Sequence, residues 1–120
     1  MKLLDVLDNV FISLKIPAYT AEFPETQPDL FAVFTPIEDQ LTGHADNKPH
    51  YEITYIRISL FLSCDDGDFR GIISKITRQL IDAKITVSDR RFIRIEDNPP
   101  DKKYYHYTID CEQMYSFKKK

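Results

Sequence analysis

The first periodic segment covers residues 2–14, where apolar side chains fall at Leu3, Leu4, Leu7, Val10, Phe11 and Leu14. That spacing puts them on one face of a helix, and Pro17 stops the helix because proline has no amide to donate. Residues 18–29 contain Pro24 and Pro28 and read as an extended or irregular connection, with a strand inside it left open. Residues 30–37 form a short apolar, aromatic run suited to a strand, and Pro36 marks an edge or a bulge. Residues 38–50 are polar, contain Gly43 and Asn47, and predict a long mobile loop.

Residues 51–63 give the clearest strand pattern. Ile56, Ile58, Leu60 and Leu62 form one apolar face, and Tyr51, Ile53, Tyr55, Arg57, Ser59 and Phe61 form a mixed one. Asp65, Asp66 and Asp68 then suit a helix N-cap and the positive end of a helix dipole. Behind them Phe69, Ile72, Ile73, Ile76, Leu80 and Ile81 repeat at helical spacing to about Lys84. Residues 85–96 alternate, with Ile85, Val87, Ile93 and Ile95 on one side and Thr86, Ser88, Arg90, Arg94 and Glu96 on the other. A turn-rich break at 97–101 leads to a last strand at 104–117, with Tyr105, Tyr107, Ile109, Cys111, Tyr115 and Phe117 on one face and Tyr104, His106, Thr108, Asp110, Glu112 and Met114 on the other.

The predicted order is α-β-β-α-β-β in a single domain, residues 1–120. Short connections favour antiparallel neighbours, so the fold class is α+β, with two helices packed on one face of a four- to five-stranded, mainly antiparallel sheet. The other face then meets water or another protein. A compact chain of this length has a radius of gyration near ~14 Å, whereas a strand the length of 51–63 spans about 43 Å. Unless they bend, the strands at 51–63 and 104–117 overhang the body. They also hold six of the seven tyrosines, an interface composition. Tyr51, Tyr55, Arg57, Phe61, Tyr104 and His106 are therefore the candidate subunit-interface residues.

Composition narrows the chemistry. The net charge of −3 disfavours nucleic-acid phosphate as a primary partner, and the hydrophobic share of 42% argues against disorder. Two cysteines, Cys64 and Cys111, are too few for a disulfide framework and point to a reducing compartment, the cytosol. No secretory core and no membrane-length apolar run is present, so no membrane partner is expected. His44, Asp46 and His50 share a loop but match no metal-ligand spacing, and the aspartates at 65–68 lack the register of a calcium loop. No cofactor and no catalytic residue is expected, because no nucleophile is placed beside an acid/base partner. Arg90, Phe92 and Arg94 share a strand face and keep a single-strand nucleic-acid reading open.

The chain resembles the small tail-completion or tail-terminator proteins of long-tailed bacteriophages. The resemblance runs from Leu3 to Phe117, through "FAVFTPIED", "ADNKPHYEITYIRISLFL", "SCDDGDFRGIISKITRQL" and the ending "YYHYTIDCEQMY". It implies a virion protein that forms a homohexameric ring at the head-proximal end of the tail tube, stops tube polymerisation and joins the tail to the head connector. Its implied partners are other copies of itself, the major tail-tube protein and a head-completion protein, with DNA passing through the lumen without sequence-specific binding. On this view Asp39, Gln40, Leu41, His44, Asp46, Asn47 and Lys48 form the loop that contacts tube or connector. A head-completion protein is the nearest alternative. The basic tail Lys118-Lys119-Lys120 has no place in the pattern.

Overall fold

The computed structural model describes residues 2–25, 28–42, 51–64, 68–96 and 103–116. It is α+β, in the order α1 (Leu3–Leu14), β1 (Ala18–Thr20), β2 (Leu30–Thr42), β3 (Tyr51–Ser63), α2 (Phe69–Asp82), β4 (Thr86–Glu96) and β5 (Tyr104–Ser116). The strands form one five-stranded sheet, β1-β2-β3-β5-β4, antiparallel throughout except for the parallel β1–β2 pair. The order has one strand more than the periodicity predicts. β1 is three residues long, too short for an alternation to register, and its partners in β2 are Ala32, Val33 and Phe34.

Leu3, Leu7, Val10 and Phe11 of α1 and Ile73, Ile76 and Leu80 of α2 close the main core over Ala32, Phe34, Ile56, Ile58, Leu60 and Ile109 of the sheet. Asp68 caps α2, its carboxylate accepting from the Gly71 amide at 3.2 Å. Lys2 offers α1 no such side chain; the Tyr115 hydroxyl accepts from the Leu3 amide instead and donates to Gln113 Oε1 at 2.9 Å.

Two elements depart from expectation. Residues 38–42, expected as the start of a loop, continue β2: Glu38, Asp39, Gln40 and Leu41 pair with Tyr55, Thr54, Ile53 and Glu52 of β3. No layer covers them among the described residues, which fits their polarity; backbone pairing makes the strand. Pro36 stands beside a bulge at Ile37, as a residue without an amide requires. Second, β4 is bulged at Ser88 and Ile93, which breaks the simple alternation read from its sequence.

The molecule is long for its size, 57 × 25 × 23 Å with a radius of gyration of 16.2 Å. Helices of 12 and 14 residues reach about 18 and 21 Å, and strands of 13 residues reach about 43 Å, so the helices cover half of the sheet at most. No helix among the described residues is long and apolar enough to cross a membrane.

Candidate interaction surface

On the sheet face opposite the helices, one end is closed by the chain itself. Phe31 and Phe61 stack at 4.9 Å, His106 stacks on Phe61 at 4.4 Å, and Tyr104 meets Phe31 edge-on. Phe23, from the stretch after β1, lies over both phenylalanines. The Tyr104 hydroxyl donates to the Pro28 carbonyl at 2.8 Å, and His106 Nδ1 lies 2.5 Å from Glu96 Oε2. Three of the candidate interface residues are therefore committed to packing within the chain: Tyr104 is 1% exposed, Phe61 is 6% exposed, and His106 is half-buried. Alternation assigned them to the correct face, and it could not show that residues 23–28 fold back over it.

At the other end both faces lack a covering layer among the described residues. Here lie Tyr51, exposed, and Tyr55, half-buried, whose hydroxyl donates to Gln40 at 3.3 Å. Leu41 is 54% exposed and Met114 59%, with Ile37 also exposed. Between the two ends Arg57 grips Asp110 of β5 in a two-pronged bond of 2.8 and 3.1 Å. That hydrogen bond holds the Arg57 guanidinium above its ordinary range, burial opposing it and the charges of Asp110 and Asp89 adding to it. Asp39 and Leu41 are thus strand residues. His44, Asp46, Asn47 and Lys48 lie outside the described residues, as does His50.

A cleft of about 210 Å³ separates the first turn of α1 from the overhang, lined by Lys2, Leu3, Asp39, Glu52, Thr54 and Tyr115 among others. Burial pushes the Tyr115 hydroxyl upward against the Leu3 amide, which favours the charged form; Glu52, Asp5 and Asp39 add to the rise.

β4 carries further exposed apolar surface, Phe92, Ile93 and Ile95. Its bulge at Ile93 separates the three residues of the nucleic-acid reading. Arg90 and Phe92 face the helices, where Arg90 reaches the Thr77 hydroxyl and Phe92 meets Phe69, while Arg94 is paired with His106 on the opposite face. A groove of about 480 Å³ runs between α2 and β4, lined by Phe69, Arg70, Ile73, Ser74, Phe92 and Tyr107.

Cys111 lies in the main core, where burial, with the charge of Asp110, pushes its thiol up to about 12. His106 is on the other sheet face, so the two form no dyad. Among the described residues no group of three or more His, Cys, Asp or Glu could hold a metal ion.

No protein-family model and no curated protein matches the chain. Solved structures do. One, a protein known only by a sequence designation, aligns over 100% of this chain and 100% of its own length, with a TM-score of 0.50 and 11% identity. At that identity the likeness concerns the fold alone.

Proposed function

We propose that the protein is a structural ring subunit that caps the head-proximal end of a phage tail tube, stops its growth and joins it to the head connector. The observation that carries this reading is the overhang: a three-stranded blade with exposed Ile37, Leu41, Tyr51 and Met114, extending past the reach of both helices. Exposed apolar residues gathered on an uncovered sheet end are what an assembly contact buries. The resemblance in its sequence supplies the kind of assembly.

The proposed mechanism is steric matching. One face of the ring fits the last tube ring, and the other offers no surface on which a further tube subunit can add. Tyr51, Tyr55 and Arg57 remain at the surface for this role; Phe61, Tyr104 and His106 stiffen the sheet behind it. Mass photometry with and without the major tail-tube protein tests the reading. The expected result is monomer or weak association alone and hexamer on tube ends; a monomer that ignores both tube and connector overturns it.

A further inference from the structure

The sheet ends in two open edges. β4 is its last strand on one side, and on the other β1 covers β2 only at residues 32–34, so that no described residue pairs with the outer edge of β2 over 35–42. We propose that these edges are two halves of one self-contact, in which β4 of one copy takes residues 35–42 of the next copy as an added strand. This deepens the ring reading above and rests on it.

Direction permits the contact. β2, β3, β5 and β4 alternate in direction, so β4 runs opposite to β2. A second copy set beside the first, with its helices on the same side, presents its β2 antiparallel to β4, the more stable ladder.

Charge selects it over the alternatives. The stretch 35–42 carries Glu38 and Asp39 and no cation. β4 carries Arg90, Arg91 and Arg94. Arg91 is engaged by Asp89 at 2.8 Å, and Arg94 lies 3.7 Å from Glu96, itself bonded to His106; Arg90 bonds only the neutral Thr77 hydroxyl. The faces also match: by register Asp39 lies on the helix side with Arg90, and Glu38 lies on the outer side with Arg94. Two β4 edges, each with three arginines against Asp89 and Glu96, would oppose net positive charge, and two β2 edges would oppose carboxylates. Only the unlike pair is complementary, so the contact is head-to-tail, the kind that closes into a ring.

An apolar anchor accompanies the charges. Leu41 lies on the helix side of β2, and the register that sets Asp39 beside Arg90 brings it to Val87, on that same side of the receiving edge. The bulges at Ser88 and Ile93, with the arginines, keep β4 from pairing with strands that lack this pattern.

The test uses this chain alone: sedimentation velocity at low salt, in a concentration series up to the solubility limit. The wild type should self-associate, and salt should weaken the association. The double reversals E38R/D39R and R90E/R94E should each raise the dissociation constant at least about tenfold, and a chain carrying all four changes should recover. Self-association unmoved by either reversal, failure of the fourfold variant to recover, or no association at any concentration overturns the contact. If R90E/R94E fails to fold, Leu41→Asp decides: loss of association at unchanged melting temperature supports the contact, and retention overturns it. Tube capping is read separately. Rings on tube ends that ignore the reversals sink only the edge contact, and reversible edge pairing without tube binding sinks only the capping role.

Discussion

The same three strands, β2, β3 and β5, meet two different fates along their length. At one end both faces are closed: the helices press on Phe34, Ile58, Leu60 and Ile109, and Phe23 lies over Phe31 and Phe61 on the reverse. At the other end, among the described residues, nothing covers the outer face and only the first turn of α1 reaches the helix side, at Tyr115; there the apolar rows give way to Asp39–Thr54–Gln113 and then Leu41–Glu52–Tyr115. Backbone pairing is continuous across the change. The comparison separates two things that often coincide, the hydrogen-bonded ladder that makes a strand and the burial that stabilises it. In the overhang the first is present without the second, which leaves burial available to a partner.

The largest expected difference is between substitutions at the two ends. Phe31→Ala empties a fully buried site stacked on Phe61 and should cost about 3–5 kcal/mol, a large part of the stability of a domain this size. Leu41→Ala and Met114→Ala, both exposed, should fall within about 0.5 kcal/mol in the isolated chain. Urea unfolding measures all three. Comparable costs would mean that the overhang is already covered, and the contrast would be lost.

The boundary between the ends is marked by Cys111, paired with Ile56 and Val87 in the last dry row. Its thiol is raised from an ordinary 9.0 to about 12 by burial and by Asp110. The unfolded thiol therefore loses its proton first as pH rises. The stabilisation is whole below about pH 9 and is lost as pH climbs towards 12, at about 1.4 kcal/mol per unit. Cys111→Ala removes this slope. Urea midpoints at pH 8 and pH 10.5 should show the gap between wild type and variant narrowing with pH; a constant gap would place water at Cys111 and move the boundary into the packed end.

Much of the packed end can be read in the sequence, because burial imposes period. The stripes of α1 and α2, apart from Ile81, which is exposed, the Asp68 cap and the apolar row Ile56, Ile58 and Leu60 stand where the pattern puts them. Three features lie beyond such reading. β1 is too short to show a period, and residues 38–42 are polar where no described residue covers them, so a strand there looks like a loop. The fate of Phe61, Tyr104 and His106 depends on Phe23 and Pro28, in a segment with no period at all. The bulge at Ile93 is likewise silent, since a bulge is one residue out of step and any β-rich sequence accommodates it.

A smaller effect tests how the overhang is tied to the body. The Tyr115 hydroxyl is the acceptor for the first amide of α1, a role Lys2 does not fill. Tyr115→Phe keeps the ring and leaves that amide without its acceptor, which should cost about 1 kcal/mol. Amide exchange in the first turn of α1 should rise while exchange in α2 stays unchanged. If neither the stability nor the first-turn exchange moves, the blade is free of the helix, and its two ends behave as independent bodies.

The smallest expected effect lies at the opposite ends of the helices. Both close in the same way, with Lys15 at φ 60° and Lys84 at φ 66° in the left-handed region, and with the next amide reaching back to close the turn: Ile16 to the Phe11 carbonyl and Ile85 to the Leu80 carbonyl, each at 3.0 Å. Lysine has a Cβ that crowds the carbonyl in this conformation, a strain of roughly 1 kcal/mol that glycine lacks, and glycine's greater freedom in the unfolded chain offsets part of the gain. Lys15→Gly and Lys84→Gly should each stabilise by a few tenths to about 1 kcal/mol and raise the melting temperature by a few degrees. Ile16 and Ile85, which follow the two lysines, are both buried in the main core, so the gains should be equal and additive. A gain at Lys84 alone would show that α1 is held by its Tyr115 end, and that the overhang, not the packed end, sets where the first helix sits.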